Sequence, residues 1–300
     1  MDWINLALLS ATTLGVVNII DSHLLSKRMP SLRAFLLPVG ISVLIFGLVV
    51  FYISPLPEGT SLLTLLVAVA SGICRTTGVI IMLYTLKREE VSRVIPVVYT
   101  YPIFVAIMAV PLLGESLHYL EWLAIVMVVA GAVMISVRQS PSGSTTWLGK
   151  PFLFLFGSSL LLALADIASK YVLAYISVWN LFWLTTFCLS GGFLLISVRT
   201  STFKQLSNMK QRSSALGLVA LNETLAMSGV MLSFWAIQKG PVSLVSTIIG
   251  SRPIFVVIFA LMLSHILPGF LGWNPGRGML ALRLMATALI VGGIAIINLT

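Results

Sequence analysis

The chain has 300 residues, of which 58% are hydrophobic and 9% charged, and its formal net charge is +9. A soluble domain keeps about a quarter of its residues charged, so a water-soluble globule is excluded and the chain is expected in a bilayer. The surplus Lys and Arg lie in short loops between apolar runs, where they set membrane orientation and offer no footprint for nucleic acid.

A helix crosses the hydrocarbon core with about 20 mostly apolar residues. Ten segments qualify in chain order: 3–24, 33–53, 61–86, 91–113, 119–137, 150–173, 178–198, 214–237, 242–265 and 279–298. The first opens with MDWINLALLSATTLGVVNII, which has no basic leader and no small-residue cleavage site, so it reads as a retained span and not as a signal. Cys74 and Cys188 fall in separate apolar runs without a CxxC pair or a neighbouring His, and read as buried thiols. The central stretch 138–149, rich in Ser, Gly and Pro, divides a five-span unit at 1–137 from a second at 150–300. The other polar connections, 199–214 and 267–278, are too short to hold a soluble domain.

The two units resemble each other. At an offset of 151, VSRVIPVVYTYPIFVAIMAVPLL (91–113) aligns with VSLVSTIIGSRPIFVVIFALMLS (242–264), with ten identities including the PIFV that begins at Pro102 and at Pro253. The same offset places Gly78 on Gly229, and an offset of 162 places VVAGAVMI (128–135) on IVGGIAII (290–297). An odd number of spans per copy makes the second copy enter from the opposite side. The expected fold is therefore all-α and polytopic, ten transmembrane helices in two inverted five-helix repeats, an architecture of secondary transporters.

Loops 1–2, 3–4, 5–6, 7–8 and 9–10 hold twelve Lys and Arg residues, whereas the opposite face, with both termini, holds Lys239 alone. That asymmetry predicts both termini outside the cytoplasm, in a plasma (inner) membrane protein.

Residues 91–136 then show a helix with a central proline (Pro102), the turn Leu113-Gly114-Glu115, and a helix bearing Trp122 and Gly131. This pattern resembles the EamA-type members of the drug/metabolite transporter superfamily. The resemblance implies a ten-span transporter whose substrate is an amino acid, sugar, nucleotide sugar, cation or drug. The second copy departs from it with Ser264-His265-Ile266 in place of the Leu-Gly-Glu turn. Relatives are also usually described with cytoplasmic termini, against the Lys/Arg count here.

Five ionisable residues lie well inside spans: Arg75, Asp166, Lys170, Glu223 and Arg252. A charge at that depth costs about 3 kcal/mol on insertion scales, so it is rarely idle. Arg252 precedes Pro253 near mid-membrane, where a kinked helix would present a guanidinium to a cavity. A structural ion pair with Glu223 or Asp166 is the alternative. Arg75, beside Thr76 and Thr77, and Glu223, beside Asn222, share a helical face in the common frame of the repeat. Gly72, Gly78 and Gly229 are expected to let those two spans cross closely. Asp166 and Lys170, four apart, are expected to pair locally, and Asp166 aligns with Asn18 at an offset of 148. Asp21 is placed near a membrane face with Lys27 or water. Tyr99 and Tyr101 cannot share one helical face, and Pro96, Pro102 and Pro253 are the expected kinks.

The expected function is secondary active transport of a small polar metabolite, an amino acid or related organic anion or zwitterion, by alternating access. Arg252, Arg75, Glu223, Asn222 and Asp166 are the candidate substrate residues, with Glu223 and Asp166 the proton-coupling candidates. Export of amphipathic compounds or drugs, or flipping of a lipid-linked molecule, are the alternatives. No enzyme is expected, because HExxH, GxSxG and clustered His or Cys are missing from the sequence. No metal site or cofactor is expected either: the three His are scattered and no GxxxxGK[ST] occurs. The expected partners are the substrate and the lipid bilayer, with the chain a monomer or a homodimer.

Overall fold

The computed structural model describes residues 1–86, 97–136, 150–209, 211–266 and 277–300. Among these residues the secondary structure is entirely helical. The helices are α1 Trp3–His23, α2 Leu32–Ile53, α3 Leu62–Leu86, α4 Tyr101–Leu113, α5 Tyr119–Ser136 and α6 Lys150–Val172. They continue with α7 Val178–Ser197, α8 Thr200–Ser207, α9 Arg212–Lys239, α10 Val242–Gly250, α11 Arg252–Ile266 and α12 Arg277–Leu299. Seven helical stretches are long and apolar enough to cross a membrane, and α4, α5 and α12 contribute shorter apolar helices. Among the described residues these helical stretches fall on the expected apolar runs, seven of them long enough to span; residues 91–96 of the fourth run lie outside the described residues. Two features are new: a π-helical turn, Leu24–Arg28, extends α1, and the short α8 follows α7.

Local chemistry fixes the ends. Ser31 and Ser177 cap α2 and α7 by accepting from the amides of Ala34 and Asn180, which satisfies donors the first turn leaves open. Gly114 ends α4 in the left-handed region at φ +69°, a conformation that glycine adopts without strain. Large apolar residues such as Ile45, Leu48, Leu66 and Ile73 face outward, as a lipid-facing surface demands.

Packing joins the two halves. The principal helix pairs are α5 with α12, α2 with α7, α3 with α6 and α1 with α9, so each links residues 1–137 to residues beyond 150. These seams are built from small residues and side-chain-to-backbone hydrogen bonds, the usual means of bringing helices together where apolar burial gives no preference over lipid. Ser10 Oγ donates to Gly229 O at 2.8 Å, and Ser158 Oγ donates to Gly78 O at 2.8 Å. A Cβ added at Gly229 would meet Leu14, and one at Gly78 would meet Leu162. Each member of one contact is the repeat counterpart of a member of the other. The α5–α12 seam is likewise reciprocal: a Cβ on Gly131 would lie 2.7 Å from Ala286 O, and one on Gly293 would lie 2.9 Å from Ala124 O.

The expected close crossing of α3 and α9 is not among the principal contacts. Gly72 and Gly78 do permit close approach, but toward Cys188 and Thr185 of α7 and Leu162 and Ser158 of α6; Gly229 packs on α1. Helices α3 and α9 meet through the side chains of Arg75 and Phe234 instead.

Candidate functional site

The described part of the fourth apolar run, from residue 97, and the ninth run each carry a turn ahead of a proline, and the two turns match bond for bond. In the first, Thr100 N and Oγ1 both donate to Val97 O, at 3.2 and 2.6 Å, and Ile103 N donates to Thr100 O at 3.1 Å. In the second, Ser251 N and Oγ both donate to Ile248 O, at 3.1 and 2.6 Å, and Ile254 N donates to Ser251 O at 3.0 Å. Thr100 and Ser251 are counterparts at the offset of 151, as are Pro102 and Pro253, each the second residue of the helix that follows. Proline suits that position because the first turn of a helix has no use for its missing N–H. Pro102 and Pro253 therefore stand directly after the two turns, at the positions expected of the kinks. Pro96, the third expected kink, lies outside the described residues.

The two turns touch: a Cβ on Gly250 would sit 2.9 Å from Pro102 Cγ. Helices α4 and α11 both begin there, so two positive helix ends start in mid-bundle, about 15 Å along the run from Val242 at the rise of a helix. Tyr99 and Tyr101 both reach this place, because Tyr99 belongs to the turn and Tyr101 to the helix; the one-face restriction does not apply. Tyr101 donates to Ser246 O at 3.2 Å and lies within electrostatic reach of Arg75, Asp166, Arg252 and Tyr99. Tyr99 accepts from Asn18 Nδ2 at 3.1 Å.

Arg252 stands at the first position of α11. Neither expected ion-pair partner reaches it. Among the described residues it makes no salt bridge, and its Nε is buried without a hydrogen-bond partner. Asp166 is engaged elsewhere: its Oδ1 accepts from Arg75 Nη2 at 2.8 Å and its Oδ2 from Ser246 Oγ at 2.9 Å. The Arg75 guanidinium also lies over the Phe234 ring, 5.3 Å from its centroid, with its Nε unpaired. Two arginines and one carboxylate leave this cluster with a net positive charge.

The expected Asp166–Lys170 pair does not form. Lys170 turns to the end of α9 and donates to the carbonyls of Ile237, Gln238 and Gly240, at 2.8, 3.3 and 2.8 Å. Four residues of spacing permits a pair on one helix; the unsatisfied carbonyls of α9 offer the ammonium three acceptors, and a carboxylate already bound to arginine offers less.

A second polar cluster lies where α1 meets α9. Asn222 Nδ2 donates to Asp21 Oδ1 at 2.7 Å and to Glu223 Oε1 at 3.4 Å, while Asn222 Oδ1 is buried without a partner. Asn222 and Glu223 are buried, as Asp166 is. Asp21, expected near a membrane face, is half-buried and joins this group through Asn222. Glu223 and Arg75 are not brought together by any ion pair among the described residues: Arg75 is paired with Asp166 of α6, and Glu223 accepts from its own neighbour Asn222. Along α1, Gly15 abuts Arg252 O, Asn18 meets Tyr99 and Asp21 meets Asn222, so one helix edge connects both clusters.

Two open depressions mark the ends of the bundle. One, of about 320 Å³, is lined by Lys27, Arg28, Gln211 and neighbours. The other, of about 400 Å³, is lined by Glu115, Lys170, Lys239, Gly240 and neighbours. Tyr101, Ser246 and Asp21 are site residues that sequence reasoning left undecided or passed over. The Asn18–Asp166 correspondence was the signal that α1 carries polar groups at depth.

Residues 1–137 match the model of the EamA-like transporter family. No curated protein matches the sequence. A solved crystal structure, 19% identical, aligns with TM-score 0.67 over 99% of this chain and 95% of its own length. At that identity the likeness is one of fold, and it extends through both halves of the chain. Residues 1–137 are therefore similar to the EamA-like transporter family, and the chain that carries them is a multi-pass membrane protein.

Proposed function

We propose that the protein is a secondary active transporter of a small polar metabolite bearing a carboxylate, an amino acid or related organic anion or zwitterion. Ten spans in two inverted five-helix repeats rock about the paired turns in alternating access. The observation that carries this reading is Arg252: a guanidinium with a buried, unpaired Nε at the start of one helix, beside the start of another. An unpaired charge in a bilayer is expensive, and an anionic substrate group supplies the missing acceptor. Arg75 adds a second donor edge.

Glu223 is the favoured group for a coupling proton or a substrate amine. Asp166 is held by Arg75 and Ser246, whereas Glu223 shares Asn222 with Asp21, and two adjacent carboxylates are relieved of repulsion by one cation or proton. The chain acts without an enzymatic step, in the plasma (inner) membrane, with both termini extracytoplasmic.

The test is thermal unfolding in detergent against a metabolite panel, with Arg252→Ala in parallel. A ligand at a hundred times its dissociation constant adds about 2.7 kcal/mol. Carboxylates or zwitterions should stabilise the parent and leave the variant unmoved. Stabilisation of both proteins by organic cations alone would replace this reading with export of amphipathic compounds; stabilisation by lipid-linked molecules would favour a flippase.

A further inference from the structure

The Leu-Gly-Glu turn has a structural task that the substrate site does not account for. Gly114 ends α4, and the next residue, Glu115, reaches across to the start of α10. Its carboxylate accepts from Val242 N at 2.6 Å, Ser243 N at 3.3 Å and Ser243 Oγ at 2.6 Å. The cap residue of α10 is Pro241, which has no side-chain acceptor of its own, so Glu115 supplies from the other half what the helix lacks. Lys170 does the opposite at the other end of the same loop, donating to three carbonyls where α9 finishes. Trp3 covers the loop between them, since a Cβ on Gly240 would fall 2.5 Å from Trp3 Cδ2. Ends of α1, α4, α6, α9 and α10 are thus gathered at one face of the bundle.

In the sequence repeat the counterpart of Glu115 is Ile266, at an offset of 151, and that of Lys170 is Ser22, at an offset of 148. Neither can carry charge, so the repeat does not reproduce this same pair at its counterpart positions. We propose that Glu115 and Lys170 form a clasp that holds the face bearing the α9–α10 loop closed at rest, and that opening on this face requires its release. The inference rests on the alternating-access reading. It makes opening on the clasped face work against two charge-assisted caps.

The test measures conformation without transport. With Cys74 and Cys188 replaced by Ser, nitroxide labels at Ser116→Cys and Gln238→Cys, both exposed positions, report the separation across the clasp by electron–electron double resonance. The parent should give one short, narrow distance. Glu115→Ala with Lys170→Met should add a longer distance and raise the open-to-closed ratio about tenfold or more. Lys170→Arg, which keeps the donors, should restore the short distance when Glu115 is intact. Far-UV circular dichroism and gel filtration establish that each variant is folded, and Glu115→Gln gives a milder, isosteric perturbation if the double variant is not. An unchanged distance in folded Glu115→Gln and Lys170→Met proteins overturns the clasp. So does an equal shift in Lys239→Ala, whose ammonium contacts Met1 O and not the helix ends. In liposomes the two readings separate. Uptake with an unmoved distance leaves the transporter reading standing and the clasp refuted; a moved distance without uptake of any panel solute does the reverse.

Discussion

Removing one member of the Arg75–Asp166 pair should harm the protein far more than removing both. The pair is short, 2.8 Å, and enclosed, with side-chain exposures of 20% for Arg75 and 8% for Asp166. Asp166→Ala strands the guanidinium within the bundle, which costs about 2.5–3.5 kcal/mol by insertion scales. It also deprives Ser246 Oγ of its acceptor, about 1 kcal/mol more. The expected loss is therefore about 3–5 kcal/mol, the range found when a buried pair loses one partner. Arg75→Met should cost a similar amount, leaving a carboxylate with Ser246 alone. The double variant carries no stranded charge and should lie within about 2 kcal/mol of the parent. Asp166→Asn keeps the shape and the Ser246 contact, so it isolates the charge. Reversible unfolding by dodecyl sulfate in mixed micelles, followed by tryptophan fluorescence, gives the four corners of the cycle. Costs that simply add across the cycle would refute the argument, because they would mean that the two charges do not depend on each other.

Arg252→Ala should leave ligand-free stability nearly unchanged or raised, since the buried Nε has no hydrogen bond to lose, while abolishing ligand-induced shifts in the melting curve. Gly131→Ala and Gly293→Ala should each cost about 1–3 kcal/mol, because the new methyl meets a backbone oxygen that cannot swing away. Gly191→Ala, with nothing within 4 Å of its added Cβ, should instead gain up to about 1 kcal/mol of helix propensity in the same assay. Glu223→Gln keeps a hydrogen-bonding oxygen for Asn222 but cannot carry a proton; proteoliposomes should then show substrate exchange without the coupled pH change seen in the parent.

The spans were legible because bilayer thickness dictates their length and leaves little freedom in reading an apolar run. The twin sites were half legible. The duplicated PIFV and its proline located them, but not the turns that the bonds of Thr100 and Ser251 make there. Charge partners were the least legible. Arg75 and Asp166 are 91 residues apart and Asn222 and Asp21 are 201 apart, and their meeting depends on how each helix is rotated against its neighbour. A helix that is apolar nearly all round carries little pattern to fix that rotation. Lys170 shows the same limit from the other side: spacing on one helix favoured Asp166, and a neighbouring helix end won. The short α8 was passed over because the stretch 199–214 is too polar to resemble a span, although eight residues of it make about two turns of amphipathic surface helix.

The pairing of every principal helix of the first half with one of the second bears on how the protein is made. When residue 137 leaves the ribosome, Ser10, Ser71 and Gly40 have not yet met their partners, because Gly229, Ala165 and Ser190 are still to be synthesised. At typical elongation rates the remaining half takes about 10–30 s. Through that interval the nascent helices sit in lipid with their small-residue seams uncovered. The insertion machinery must therefore shelter a half-protein whose natural complement is its own unfinished continuation.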